Sequence, residues 1–371
     1  MKILITGGHL TPALAVIDKI QLQKRYQKEI KIFFVGRKHA LDTEKTISFE
    51  YKEILLKNLE FIDLDTGRFT RIFNLKSLRS LIKIPLGFVR AFQILTNIKP
   101  DNILSFGGYI ALPIVIIGWL LRIPVYTHEQ TIFPGLSNRI ISLFAKKIFY
   151  SFERSAHYFP KNKAIYSGNP IRNSVFSVLE KPFEIKNKLP SIYITGGSLG
   201  SHSINIHILN ILNLLLERYN VIHQIGDVKE YNDFETCIKA KNLLSFTRRE
   251  QYIPVKHFLA SEIGYIYSIA DIVVGRSGAN TFFELLQLKK PAILIPLPWS
   301  ANQEQQIQAK LFEMYGLGFV FEQKNKSEKL FELINLLYRD RAKYLNHFYR
   351  LSIVMKQDAA DCIIQEILKN N

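Results

Sequence analysis

Three stretches of this 371-residue chain carry residue types at spacings that could do chemistry. In one, Gly275, Arg276, Ser277, Gly278 and Ala279 follow the short β-branched run at 272–274 and precede an amphipathic pattern that begins near Asn280. A buried parallel strand, a turn of small residues and a helix start direct unpaired N–H groups at one point, where an anionic phosphate is the natural occupant. Glu284 lies one turn into that helix, where a carboxylate can accept both hydroxyls of a ribose or simply answer the helix dipole. In the second stretch, Thr6-Gly7-Gly8-His9 separates a strand at 3–5 from a helix at 12–24. An imidazole at the mouth of a sheet can take a proton near neutral pH, or hydrogen-bond the helix start. In the third, His128, Glu129 and Gln130 stand at the carboxyl end of a strand at 124–127, a place where a core would exclude polar groups and where open α/β sheets bind ligands.

The elements that must position these residues recur in a regular order. Strands are predicted at 3–5, 32–35, 103–105, 124–127 and 147–151, then again at 191–195, 221–224, 252–255, 272–274 and 293–296. Helices are predicted at 12–24, from about 135, at 202–216, from about 280 and at 326–337, with a helical region from about 341 to 368. Further glycine turns fall at Phe106-Gly107-Gly108-Tyr109 and at Gly196-Gly197-Ser198-Leu199-Gly200-Ser201, and a polar loop at Asn302, Gln303, Glu304, Gln305 and Gln306 follows the strand at 293–296. Two successive βα arrays, joined by a crossing at 166–172, imply an α/β protein of two Rossmann-like lobes with parallel sheets facing across a cleft.

A hydrophobic fraction of 47% argues for packed cores, while 49 Lys and Arg against 32 Asp and Glu give a net charge of +17 and a pI near 9.6. Such a balance attracts nucleic acid, anionic lipid or phosphorylated substrates. No nucleic-acid recognition motif with aromatic stacking platforms is present. From 67 to 90, however, Arg68, Arg71, Lys76, Arg79, Lys83 and Arg90 are interleaved with large apolar residues and no acid, which suits either a surface dipping into anionic headgroups or a helix with a solvated basic face. The apolar run at 110–121 contains Pro113 and falls short of the ~20 residues that span a bilayer. Cys237 and Cys362, far apart, suggest neither a disulfide framework nor a zinc site. The opening MKILITGG reads as a first strand rather than a signal peptide.

The segments TGGHLTPALAV, SFGGYIALP, IPVYTHEQ, SGNPIR, ITGGSLGS and ADIVVGRSGANTFFE, followed by the glutamine loop, occur in the order in which they occur in the MurG family. The chain resembles that family over about residues 1 to 320. The resemblance implies a GT-B fold and an inverting, metal-independent transfer of N-acetylglucosamine from UDP-GlcNAc to lipid I, giving lipid II of peptidoglycan, with no cofactor. It implies an acceptor and membrane-binding lobe at 1–166, joined by a C-terminal helix at about 350–371, and a donor lobe at 167–349. His9 would be the general base. Gly7, Gly8, Gly107, Gly108 and Tyr109 would cradle the lipid diphosphate, and His128 and Glu129 would hold the acceptor sugar. On the donor side Arg172 and Ser198 would face the UDP diphosphate, with Ser277, Gly278, Ala279, Asn280 and Thr281 at phosphate and sugar. Glu284 would bind ribose, Glu304 and Gln305 the GlcNAc hydroxyls, and the backbone near Leu259 the uracil. The partners would be UDP-GlcNAc, lipid I and the anionic inner leaflet, with no nucleic acid, at the cytoplasmic face of the bacterial plasma membrane.

The chain departs from the family pattern in three places. The first glycine loop is shorter than the usual GGTGGH, so fewer backbone N–H groups remain for a diphosphate. Thr131 and Gln308 each stand where Asn is usual. Alternatives that share the donor half are a diacylglycerol glycosyltransferase and a UDP-GlcNAc 2-epimerase, but the HEQ and SFGGY segments and the basic apolar stretch favour lipid I.

Overall fold

Residues of the first strand point alternately into two cores, as the two-residue period of a strand requires. In β1 (Lys2–Thr6), Ile3 and Ile5 join one apolar cluster and Leu4 the other. Phe34 and Val35 divide in the same way in β2 (Lys31–Gly36). After β3 (Glu60–Asp63), the pattern repeats with Leu104 and Ile103 in β4 (Asn102–Ser105), Tyr126 and Val125 in β5 (Val125–Glu129), and Phe149 and Ile148 in β6 (Lys147–Tyr150). With β7 (Ala164–Tyr166) these strands form an all-parallel sheet in the order β3-β2-β1-β4-β5-β6-β7.

The computed structural model describes residues 1–24, 30–39, 47–67, 75–197, 199–228, 230–352 and 358–369. Its chain divides into two units, Met1–Arg172 with Lys356–Asn371, and Asn173–Met355. Segment 167–169 is tied to the first: Ser167 N and Gly168 N donate to Tyr150 O, and Gly168 O meets His128 Nε2 at 3.2 Å.

In the first unit, α1 (Leu10–Lys24) lies on one face of the sheet together with the C-terminal helix Ala359–Leu368. That helix buries Ile363, Ile364 and Ile367 against the same cluster as Ile3 and Ile5, and Lys19 pairs with Asp361 at 2.6 Å. The short α2 (Phe49–Leu56) begins at Ser48, whose hydroxyl accepts from Tyr51 N at 3.1 Å. The opposite face carries α3 (Leu75–Ile98), α4 (Ala111–Leu120) and α5 (Leu136–Phe144).

The second unit repeats the plan. Strands β8 (Ser191–Thr195), β9 (Asn220–Gln224), β10 (Tyr252–Val255), β11 (Ile272–Gly275), β12 (Ala292–Leu294) and β13 (Gly318–Val320) form a parallel sheet in the order β10-β9-β8-β11-β12-β13. Helix α6 (His202–Leu215) follows β8, and helix Ala279–Gln287 follows β11. The two parallel sheets with their flanking helices are the two Rossmann-like lobes of a GT-B fold.

Three strands absent from the sequence expectation, β3, β7 and β13, lie at sheet edges and keep partly exposed residues, so they lack the continuous apolar run that marks a buried parallel strand. The strand expected at 293–296 occupies Ala292–Leu294 and stops short of Pro296, which has no N–H to give a ladder.

Candidate functional site

Each sheet reverses its strand order once, and ligands of open α/β sheets bind at the carboxyl ends beside that reversal. In the first unit the reversal lies between β1 and β4. The turn Gly7-Gly8-His9 leaves β1, and Phe106–Tyr109 leaves β4 on its way to α4. Gly8, Gly107 and Gly108 take φ of +143°, +78° and +79°, which side chains with a Cβ rarely adopt. The turns nearly touch: a Cβ on Gly108 would stand 3.1 Å from Gly8 Cα. β5 brings His128 and Glu129 to the same end, so these residues, His9 and Tyr109 all belong to one set of neighbouring strand ends.

Their surroundings give each a definite state. Desolvation pushes His9 down to about 4, although part of its surface remains open. His128 is 1% exposed and also held down to about 4, by burial first and then by the nearby His9, against the opposing effect of Gly168 O. Both imidazoles are therefore neutral, proton-accepting groups at pH 7. Glu129 is pushed upward by burial, and its carboxyl is occupied within the loop: Oε1 accepts from Thr131 N at 2.8 Å and lies 2.7 Å from Thr131 Oγ1, while Oε2 accepts from Asn138 Nδ2 at 2.7 Å. Thr131, in the position where Asn is usual, thus serves to fix Glu129.

Several residues at this mouth escaped the sequence reading. Glu50, in the first turn of α2, sits beneath the glycine turn; its Oε2 accepts from Arg37 N at 3.1 Å, and the Gly8 main chain hydrogen-bonds to the same carboxyl. A Cβ on Gly7 or Gly36 would collide with this carboxyl, so the two glycines make its room. Burial raises Glu50 to about 7, against the lowering effect of those hydrogen bonds and of the Arg37 charge. Gly7 N donates to Val35 O at 2.7 Å and Gly107 N to Ser105 Oγ at 3.1 Å. The N–H groups of Gly7, Gly8 and Gly107 are thus engaged by the fold itself, and these glycines shape the turns rather than offer donors.

In the second unit the reversal lies between β8 and β11. Gly197 and Gly200 take φ of +87° and +78°, Gly197 N donates to Thr195 Oγ1 at 3.0 Å, and a Cβ on Gly200 would strike Ile225 O. Ser198 lies outside the described residues. Across the reversal, Arg276 fastens the loops together: Nη2 donates to Ser201 Oγ at 2.6 Å and Ser203 Oγ at 3.1 Å, and Nη1 to Ile295 O and Gln323 Oε1, both at 3.1 Å. Burial lowers it only to about 10, so it remains a cation at neutral pH.

Gly278 precedes helix Ala279–Gln287 in an extended conformation and Ser277 Oγ donates to Gln305 O at 2.8 Å. Ala279, Asn280 and Thr281 form the helix's first turn. Glu284 is 7% exposed, and Tyr267 OH donates to its Oε2 at 3.0 Å. Glu304 opens helix Glu304–Met314, where Gln308 Nε2 donates to its Oε1 at 2.7 Å. The Gln at 308, in the position where Asn is usual, therefore orients Glu304 from one turn away. Gln305 Oε1 accepts from Leu297 N at 3.0 Å and so helps to hold the preceding loop. Leu259 is exposed; its N–H donates to Glu262 Oε2 at 2.7 Å and its carbonyl accepts from Glu262 N and Ile263 N at 3.1 Å, which engages its main chain locally. Arg172 stands at the boundary of the two units, next to Asn173, the first residue of the second. Among the described residues, no three His, Cys, Asp or Glu side chains converge to hold a metal ion.

Two family models match the chain: the glycosyltransferase family 28 N-terminal domain at residues 6–150 and the glycosyltransferase family 28 C-terminal domain at residues 191–362. A UDP-N-acetylglucosamine--N-acetylmuramyl-(pentapeptide) pyrophosphoryl-undecaprenol N-acetylglucosamine transferase of Clostridium perfringens is 35% identical over 356 residues, covering 93% of this chain and 92% of the relative. A second transferase of that description, from Bacillus cereus, is 32% identical over 376 residues and covers 99% of both. The crystal structure of Acinetobacter baumannii MurG superposes with a TM-score of 0.70 at 23% identity over 99% of each chain. A Neisseria meningitidis UDP-GlcNAc 2-epimerase bound to UDP-GlcNAc shares the fold at a TM-score of 0.64 and 16% identity, covering 100% of each chain.

Proposed function

The chain belongs to the glycosyltransferase family 28 transferases represented by these relatives, and from that premise we propose how its residues move N-acetylglucosamine from UDP-GlcNAc onto lipid I to give lipid II. The observation that carries the proposal is the pair of switch-point sites: neutral imidazoles at one, and a locked cation beside a helix N-terminus at the other. The acceptor hydroxyl oxygen attacks the anomeric carbon of the donor sugar as the bond to UDP breaks, in one inverting displacement. His9 takes the hydroxyl proton, and UDP leaves with the bonding electrons. His9 is a weak base while the site is empty. An anionic diphosphate beside it raises its proton affinity, so it becomes an effective base when the acceptor has arrived. The first-turn N–H groups of helix Ala279–Gln287 stabilise the departing diphosphate, Glu284 binds the ribose, and Glu304 and Gln305 meet the sugar hydroxyls.

The first unit also has a surface suited to anionic lipid. On the face covered by α3, α4 and α5, Leu86, Val89, Phe92, Trp119, Leu120 and Leu143 are each between 49% and 66% exposed, with the exposed cations Arg90 and Arg122 nearby in sequence. Arg68 and Arg71 lie outside the described residues, as do the side chains of Lys76 and Arg79. No described helix is long and apolar enough to cross a membrane. We assign this face to peripheral contact with the cytoplasmic leaflet, with apolar side chains entering the headgroup region and cations meeting its charge.

Transfer of labelled GlcNAc from UDP-GlcNAc to a lipid I analogue, with EDTA present and diacylglycerol in parallel, tests the reaction. Transfer to lipid I alone, insensitive to EDTA, is expected; transfer to diacylglycerol alone would contradict it. Leu86→Glu together with Phe92→Glu should abolish flotation with vesicles of mixed neutral and anionic lipid, and unaltered flotation would remove the membrane assignment.

A further inference from the structure

The His9 imidazole has no hydrogen-bond or ion-pair partner among the described residues. A base that must meet a substrate hydroxyl within hydrogen-bond reach is ordinarily oriented by a second group on its ring. His9 lacks one, so its aim comes from its main chain, and that main chain follows two glycines. Gly8, with φ of +143°, is of the residue type with the greatest backbone freedom. Two contacts remove this freedom. Gly7 N donates to Val35 O at 2.7 Å, and the Gly8 main chain hydrogen-bonds to the Glu50 carboxyl.

Glu50 is itself firmly seated. It lies in the first turn of α2, where Ser48 N donates to Lys38 O at 2.8 Å and Ser48 Oγ to Arg37 O, so the helix start is clipped to the chain that leaves β2. Glu50 Oε2 adds a third tie by accepting from Arg37 N at 3.1 Å, and Arg37 Nη1 in turn donates to Tyr109 OH at 2.7 Å. An acid that served only the dipole of α2 would stand in water. This carboxyl is desolvated, and a Cβ on Gly7 or Gly36 would collide with it, so glycines at the ends of two neighbouring strands leave the space it fills.

We propose that Glu50 is a positioning residue of the transfer reaction, fixing the Gly8 peptide so that the His9 imidazole is presented to the acceptor hydroxyl. The inference rests on His9 as the base and adds the group that aims it. Misplacing a reacting group by about 1 Å costs about a hundredfold in rate, so a carboxyl that touches no substrate still acts on turnover.

The test is a double-mutant cycle in the lipid I transfer assay, with melting temperature as the check on folding. Glu50→Ala should lower kcat by about ten- to a hundredfold with UDP affinity unchanged. Glu50→Gln, whose amide oxygen still accepts an N–H, should restore most of that loss. In the His9→Ala background, Glu50→Ala should cost little further, because no base remains to be aimed. An equal loss in both backgrounds would show Glu50 to be a structural residue and overturn this assignment alone. Wild-type turnover in His9→Ala would overturn the base reading and this inference with it. Should Glu50→Ala fail to fold, Gly36→Ala closes the cycle, since its Cβ displaces the carboxyl without removing it. The same loss, absent in the His9→Ala background, is then expected, and wild-type turnover in Gly36→Ala would overturn the assignment.

Discussion

Both sheets reverse at the same step, between their first and fourth strands, yet the side chains gathered there differ in charge and in freedom. At the β8–β11 reversal, Arg276 is a cation locked by hydrogen bonds to Ser201, Ser203, Ile295 O and Gln323. At the β1–β4 reversal, burial keeps His9 and His128 neutral and raises both Glu50 and Glu129. One scaffold thus supports two electrostatic tasks. The second unit presents permanent positive charge, suited to a nucleoside diphosphate that must leave as an anion. The first sets groups that exchange protons beside the Arg37 cation, suited to an acceptor hydroxyl that must lose one.

The comparison can be broken from the donor side by Arg276→Met, which removes the cation and leaves its acceptors unpaired. Hydrogen bonds to a charged group contribute about 1.5–3 kcal/mol each, partly regained from water. UDP affinity should fall roughly a hundredfold, if about 3 kcal/mol of that support is lost. Calorimetric titration with UDP checks this, and unchanged affinity would mean that the locked cation has no bearing on the donor.

On the acceptor side, Glu50 gives a pH signature of defined sign. Its carboxyl is raised from 4.5 to about 7 in the folded protein, so the folded state holds a proton between those values that the unfolded chain has released. Stability from this group is therefore greatest below about pH 4.5 and falls as pH rises through 7. The shift corresponds to a loss on the order of 3 kcal/mol. Glu50→Gln removes it, so its melting temperature relative to wild type should be higher at pH 8 than at pH 5. A difference independent of pH would show that Glu50 is ionised throughout. Within the donor site, Gln308→Asn should have the smallest effect. Its shorter side chain loses Glu304 and should raise KM for UDP-GlcNAc severalfold, about the effect of one hydrogen bond, with kcat nearly unchanged. Steady-state kinetics resolve the two constants.

Much of this architecture was legible in the residues. The glycine turns after residues 5, 105 and 195 announced strand ends because positive φ at a tight turn is nearly a glycine property, and β8 and β10 fell at the predicted residues. His9 and His128 stood out because polar groups at the ends of buried strands have few structural uses, and Glu284 because it is a carboxylate one turn into the helix that follows a glycine turn. Glu50 and Arg37 did not. Glu50 lies in a short helix with no periodic signal, and only the pairing of β1 with β2 carries it beneath Gly7 and Gly36. Arg37 joins Tyr109 across 72 positions of sequence, a contact made by strand order rather than by spacing. Gln308 was legible only as a departure from the usual Asn; that it is fully buried and donates to Glu304 comes from the fold. The edge strands were missed for the opposite reason, since partial exposure removed the apolar run that marks their neighbours.

The most direct test of the account is a paired measurement on His9→Ala: turnover of UDP-GlcNAc with a lipid I analogue, and UDP affinity on the same preparation. If the first reversal handles the proton and the second the leaving group, turnover falls by about 10²–10⁴ while UDP affinity is unchanged. Turnover equal to wild type would contradict the division of labour and remove His9 from the mechanism.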